Sequence, residues 1–254
     1  MTIPHQGPLV SIIIPAYNSG EHISQCINSV LAQTYRNWEA IIVLAPSMDN
    51  TFDVLMGYHD GRIVIFGEGR KTNCATARNT GIDLCQGKYV AMLDADDFWE
   101  PKKLEVMVYY LEHHPLLEWA AHGIYFYHSG ITKLNIEYPG QTPYIWGCGG
   151  IVFRKPLLDR TKKRDGFIFD PSLNHNDDAD LVLRVRNELS AMIPIGLSTY
   201  RTWVNGSLTY SAGELGNAVM MLKLVWKNRV YEYLPWHIKN VGYSFARRIF
   251  FGVK

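Results

Sequence analysis

Hydrophobic positions in the first half of the chain fall into alternating short runs and spaced stripes. Residues 10–14 read V-S-I-I-I and end at Pro15, a nearly continuous apolar run that suits a strand buried on both faces. After a turn at 16–20, Ile23, Cys26, Ile27, Val30 and Leu31 recur at the i, i+3, i+4, i+7, i+8 spacing of an amphipathic helix. Asn18 and Glu21 stand at capping-box spacing before it. Residues 40–44 and 63–66 are strand-like, 73–85 can be helical with Gly87 as a stop, and 89–93 is another buried strand. Pro101 suits the first turn of a helix whose apolar face is Leu104, Met107, Val108 and Leu111. Strand–helix alternation of this kind predicts an α/β fold with a mainly parallel central sheet flanked by helices. Such sheets bind ligands at the carboxyl ends of their strands. Three unusual segments fall there: 15–18, 45–49 and 94–97.

Beyond Pro115 the pattern loosens. Residues 119–127 and 130–138 predict two strands joined by a His-Ser-Gly turn, 177–189 a helix, and 192–200 a strand that Pro194 assigns to a sheet edge. No linker-like tract or repeat interrupts the chain. The expected organisation is one domain over 8–210, in two halves (8–115 and 116–210), followed by a helical tail (211–254).

Composition narrows the class. Apolar residues make up 47% and charged residues 19%, enough for a sizeable core. The 25 basic and 24 acidic side chains nearly cancel, which gives no reason to expect a nucleic-acid partner. The four cysteines form no CxxC pair and read as small buried apolar residues in a reducing compartment. Residues 1–8 are polar and no run of 18 apolar residues occurs, so a cytoplasmic location is expected. The tail interleaves seven Lys/Arg with aromatics between 223 and 254. That pattern suits peripheral contact with the inner face of a membrane, or equally a terminal helix docked on the domain.

Candidate chemistry lies in the carboxylates. Asp94 and Asp96 follow a buried strand and, two residues apart, would share one side if the chain stayed extended. Two such carboxylates repel, and a divalent cation relieves the repulsion. Hard oxygen ligands select Mg²⁺ or Mn²⁺. The plainer reading is an acidic loop capping the next helix, with Asp97 as the cap. A second group, Asp177, Asp178 and Asp180, opens the later helix, where acids are favourable on dipole grounds alone. Asp180 reads as structural; Asp178 or Asp177 could serve as general base. Arg78 could contact a diphosphate.

Several segments together resemble the family-2 glycosyltransferases of GT-A fold: VSIIIPAYN (10–18), LAQTY (31–35), ARNTGI (77–82), GKYVAMLDADD (87–97), FDPSL (169–173), DDADLVLR (177–184) and YR (200–201). Each is weak alone; the ordered set over about residues 8–205 is specific. The resemblance implies an inverting transfer of a sugar from a nucleotide-diphosphate donor, UDP-sugars favoured, to a saccharide or lipid-linked acceptor hydroxyl. It implies a nucleotide-sugar-binding half over 8–115 and an acceptor-binding half over 116–210. It implies that Pro15, Ala16, Tyr17 and Asn18 border the nucleoside, that Asp94 lies near the ribose or metal, that Ala95 is among the donor-binding residues, and that Asp96, with Asp94, binds Mn²⁺ or Mg²⁺. It implies further that Arg78 approaches the diphosphate and that Asp178 is the base, with Asp177 in the place of the family's Glu. Two departures bear on this. VLAPSMD (43–49) stands where the family has V-D-D-G-S-x-D, so Leu44 and Ala45 replace both acids and a nucleotide other than uridine becomes an alternative. Trp203 stands where the family often has His. Tyr125, Tyr127, Tyr144 and Trp146 are acceptor-side candidates, with core packing as the other reading. The rival functions are a transferase-like module that binds sugar or protein without turnover, and a nucleotidyltransferase, whose Gly-rich phosphate loop is missing at 15–20.

Overall fold

The computed structural model describes residues 7–128, 131–135, 148–163, 165–173 and 177–201. Its elements run β1 (Val10–Ala16), α1 (Ile23–Leu31), β2 (Trp38–Leu44), α2 (Thr51–Met56), β3 (Ile63–Gly67), α3 (Cys74–Leu84), β4 (Tyr89–Met92), β5 (Phe98–Trp99) and α4 (Lys103–His113). They continue with β6 (Trp119–His128), β7 (Ile131–Asn135), a 3₁₀ turn (Cys148–Gly150), β8 (Ile151–Arg154), α5 (Lys155–Arg160), α6 (Asp177–Val185) and β9 (Ser190–Arg201). One sheet runs in the order β3-β2-β1-β4-β8-β6-β9-β5, with β7 on β6. The first half is the expected parallel core: β1 pairs in parallel with both β2 and β4, and β2 with β3. Strand β8 then enters antiparallel to β4, which turns the second half into a mixed sheet.

The strands read as apolar runs because helices cover both faces. Along β1, Val10, Ile12 and Ile14 join one core layer with Ile23, Ile27, Leu104 and Met107 of α1 and α4. Ile13, between them, points into the other layer with Ile82 of α3 and Leu157, Phe169 and Leu181. Strand β4 splits likewise, Tyr89 and Ala91 to the first layer and Val90 and Met92 to the second. Two glycines permit close approach. A Cβ on Gly81 would lie 2.4 Å from Ile13 Cγ2, so α3 sits tightly on β1. A Cβ on Gly87 would lie 2.6 Å from the Ser11 backbone nitrogen, and the Gly87 N–H donates to Ser11 Oγ at 2.8 Å. The LAQTY segment is a cross-tie: buried Gln33 donates to the Ser29 and Glu100 carbonyls and accepts from the Leu104 N–H.

Several local expectations fail for identifiable reasons. The capping box at 18–21 does not form; His22 occupies the N-cap of α1 with no side-chain cap bond. Asn18 instead adopts φ 46°, a left-handed conformation Asn tolerates, and its side-chain oxygen accepts from the Met48 N–H at 2.9 Å. Asp97 caps no helix, since its carboxylate is taken by the backbone of Arg201 at 2.9 Å. Strand β9 is covered on its outer side by β5 only at Ser198 and Thr199, so it ends as an interior strand while the stretch around Pro194 pairs with β6 alone among the described residues. Pro194 is accommodated by the register shift between His122 and Gly123 of β6, which pair with Ile193 and Gly196. Helix α6 ends at Val185 rather than 189. The tail, Tyr144, Trp146 and Trp203 lie outside the described residues. Among the described residues no helix is long and apolar enough to cross a membrane.

Candidate functional site

The carboxyl ends of β1, β2 and β4 bring the sequence-predicted residues together. Asp94 follows β4, and the Leu93 N–H bonds the Ile13 carbonyl as the ladder continues. The chain then turns, with the Asp97 N–H donating to the Asp94 carbonyl at 3.0 Å. The extended geometry expected for Asp94 and Asp96 is therefore replaced by a tight turn, yet both carboxylates remain partly exposed. Ala95, between them, is buried in the first core layer.

Helix α3 supplies Arg78. Asn73 caps the helix by accepting from the Thr76 N–H at 3.0 Å. Arg78 Nη2 donates to Asp94 Oδ1 and Nη1 to Asp177 Oδ2, each at 2.7 Å. The Arg78 and Asp177 side chains are each 5% exposed and Asp94 is 31% exposed. Burial opposes the charge on Arg78, but Asp177 and Asp94 outweigh it and hold its pKa above the ordinary value. Each terminal nitrogen thus gives one N–H to a carboxylate and carries a second N–H.

The same helix holds the loop that delivers α6. Asn79 Oδ1 accepts from the Ile168 and Phe169 N–H groups at 3.1 and 2.9 Å, and its amide donates to the Phe169 carbonyl at 2.7 Å. Asn73 donates to the Pro171 carbonyl at 2.7 Å. Lys163 pairs with Asp170 at 2.9 Å and Asp180 at 3.0 Å, and Arg184 with Asp180 at 3.1 Å. Asp180 is therefore a structural acid, as its position suggests. Asp178 remains, partly exposed, with Oδ1 accepting only the adjacent Ala179 N–H at 2.7 Å among the described residues. Burial, opposed by Arg78 and reinforced by Asp177 and Asp94, pushes its pKa up to about 6. Asp96 is also pushed up to about 6, by burial and by Asp94. No ion pair neutralises the Asp96 side chain among the described residues, which fits an oxygen ligand awaiting a cation. No cluster of three potential metal ligands occurs among the described residues. One or two carboxylates are what a Mg²⁺-type ion takes from a protein when phosphates complete its shell.

Around the β1 end, Ala16 is buried and Tyr17 is 39% exposed, with Lys71 Nζ 4.8 Å from its ring centroid. Asn18 clamps the 45–49 segment, its N–H donating to Ser47 Oγ at 3.0 Å. Sequence reasoning missed a buried layer beneath the Asp94–Asp97 turn. Lys103 is fully buried, donates to the Gly149 carbonyl at 2.5 Å and lies 3.7 Å from the Trp99 ring centroid. Near it is buried His122, whose Nδ1 meets the Gly123 carbonyl at 2.8 Å. A lysine in the first turn of a helix carries no sequence signal of burial.

The half-parallel α/β sheet that carries these carboxylates and this arginine has the GT-A type glycosyltransferase fold. Solved structures share it. S. aureus TarS 1–349 in complex with UDP-GlcNAc superposes with a TM-score of 0.69 at 16% identity, covering 96% of this chain and 75% of that one. The mannosyltransferase PcManGT from Pyrobaculum calidifontis, in complex with GDP-Man and Mn²⁺, gives 0.67 at 19% identity, covering 95% and 70%. The Glycosyl transferase family 2 model matches residues 11–172, and the chain belongs to that family. A glycosyltransferase of Rickettsia typhi is 32% identical over 194 residues, 68% of this chain and 57% of its own. The UDP-Glc:alpha-D-GlcNAc-diphosphoundecaprenol beta-1,3-glucosyltransferase WfgD of Escherichia coli is 42% identical over 100 residues, 39% of this chain and 40% of its own. The match thus spans about two fifths of WfgD's length.

Proposed function

We propose that the chain is a metal-dependent, inverting glycosyltransferase. It would move a hexosyl group from a nucleotide-diphosphate sugar to the hydroxyl of a saccharide or lipid-linked acceptor, in the synthesis of a cell-surface polysaccharide or glycolipid. The observation that carries this reading is the Arg78 bridge. By gripping Asp94 and Asp177 at 2.7 Å each, it ties the strand-end acids to the start of α6, where Asp178 is the carboxylate left free to accept a proton. The UDP-Glc donor in WfgD's name, and the UDP-GlcNAc and GDP-Man complexes of the neighbours, support a nucleotide-sugar donor.

Pro15, Ala16, Tyr17 and Asn18 would border the nucleoside, Asp94 would lie near the ribose or metal, and Ala95 would be among the donor-binding residues. Asp96, with Asp94, would hold Mn²⁺ or Mg²⁺, which when bound neutralises charge on the departing diphosphate. Arg78, which braces Asp94 and Asp177, would approach the diphosphate with its remaining N–H groups. Asp178 accepts the proton of the acceptor hydroxyl as its oxygen bonds the anomeric carbon and the bond to the diphosphate breaks on the opposite side. General-base help of this kind is worth about 10²–10⁴-fold in rate. Cytoplasmic placement, the 8–210 domain boundary and tail-mediated contact with an anionic membrane belong to the same proposal. The test is Asp178→Asn assayed for Mn²⁺-stimulated release of nucleoside diphosphate. The variant should fold and bind Mn²⁺ normally and turn over at least about 100-fold more slowly. Unchanged turnover removes Asp178 from the role.

A further inference from the structure

The last described residue of β9 reaches back to the Asp94–Asp97 turn from the far side of the sheet. Arg201 Nε donates to the Asp96 carbonyl at 2.7 Å. Its backbone N–H donates to Asp97 Oδ1 at 2.9 Å. Its Nη2 donates to Gln25 Oε1 of α1. The guanidinium also lies 5.2 Å from the Phe98 ring centroid and 5.7 Å from that of Tyr127. One residue therefore grips the peptide of Asp96 and the side chain of Asp97, the residue that follows it. The turn is held from beneath as well: the Asp94 carbonyl accepts from the Asp97 N–H and, at 3.7 Å, from the Cys26 thiol. Strand β5 adds a short antiparallel pairing, Phe98 with Thr199 and Trp99 with Ser198. By contrast, no side chain among the described residues bonds the Asp96 carboxylate itself, so its direction is set by how its backbone is held.

We propose that Arg201 is a positioning residue for the cation site: by fixing the Asp96 peptide and the Asp97 carboxylate, it aims the Asp96 side chain for a divalent ion. This rests on the reading that Asp96 binds the metal. The guanidinium suits the task because its planar fork reaches the Asp96 carbonyl and Gln25 Oε1 at once; a lysine would keep the charge but offer a single ammonium, while the bond to Asp97, made by the backbone N–H, remains with any side chain at 201. Groups that hold a metal ligand in place typically contribute about 10–100-fold to metal affinity.

The experiment is titration of the full chain with Mn²⁺ alone, following the free-ion signal by electron paramagnetic resonance. Wild type is compared with Arg201→Ala, Arg201→Lys, Asp96→Asn and the Arg201→Ala/Asp96→Asn pair, with melting temperatures recorded for each. The expected result is roughly 10-fold or more weaker Mn²⁺ binding in Arg201→Ala, a smaller loss in Arg201→Lys, and no further loss when Arg201→Ala is added to Asp96→Asn. A merely structural arginine would lower the melting temperature without this non-additivity. If Arg201→Ala fails to fold, Arg201→Lys decides the same question. Wild-type Mn²⁺ affinity in a folded Arg201 variant, with Asp96→Asn still defective, overturns the positioning role and leaves the metal reading intact. Equal Mn²⁺ binding by wild type and Asp96→Asn overturns both.

Discussion

Replacing Arg78 with leucine isolates the bridge at the centre of the site. The substitution removes both 2.7 Å ion pairs and leaves two carboxylates facing a void of lost charge. The two arms are unequal. Asp177 is 5% exposed, so breaking its pair strands a buried anion, at a cost of about 3–5 kcal/mol. Asp94 is 31% exposed, and water screens its arm toward the surface-pair value of under about 1 kcal/mol. The loss should therefore come almost wholly through Asp177, against a total stability of roughly 5–15 kcal/mol. At about 2–4 °C per kcal/mol for a domain of this size, Arg78→Leu should melt roughly 6–20 °C lower. Urea unfolding of the single variants and the Arg78→Leu/Asp177→Asn pair makes the assay. Asp177→Asn should cost much less in the Arg78→Leu background than in wild type, while Asp94→Asn should be nearly additive. An Arg78→Leu variant within about 1 kcal/mol of wild type at unchanged m value would refute the assignment of a buried, energetically coupled bridge.

Further outcomes follow from the same geometry. Because the Asp178 carboxyl is pushed up to about 6, it loses its capacity to accept a proton as pH falls through that value. The transfer rate should fall about tenfold per unit below pH 6 and flatten above it, and Asp177→Asn should move the midpoint down; a rate flat to pH 5 contradicts the role. The linkage sign is opposite for stability: the folded state binds this proton more tightly than the unfolded chain, so the group favours folding as pH drops from about 6 toward 4. Gly87→Ala forces a Cβ to within 2.6 Å of the Ser11 backbone nitrogen, where no side chain can give way; a loss of about 1–3 kcal/mol in urea midpoint is expected. Treatment with a chelator should abolish nucleoside diphosphate release and added Mn²⁺ should restore it, with no change in far-ultraviolet circular dichroism.

Much of the parallel core was legible because burial on both faces writes itself as apolar runs. The 89–93 run and the 23–31 stripe each have one physical reading, and both elements stand where expected. Short or cross-chain features were not legible. Strand β5 is two residues long, and β8 is a four-residue run followed directly by α5. Asn18 and Glu21 satisfied the capping pattern, but the Asn18 side chain found a better partner 30 residues away in the Met48 N–H. The candidate site divides in the same way. Asp94, Asp96, Arg78 and Asp178 stood out through motif order, whereas the partners of Arg78 did not. Its bond to Asp177 crosses 99 positions of sequence, and no local spacing encodes it. Asp97 reads as a cap and Lys103 carries no local signal, because their burial depends on strands supplied by the second half of the fold.

The grip of Arg201 on Asp96 and Gln25 joins positions 105 and 176 residues apart. Contacts of such separation carry a loop-closure cost that earlier, local structure cannot offset, so they form late. During synthesis, the nascent chain can build the parallel core long before it can finish the turn that carries Asp96. Competence for chemistry therefore arrives only when β9 has emerged and docked, and a ribosome stalled before that point would display a folded core with an unfinished site.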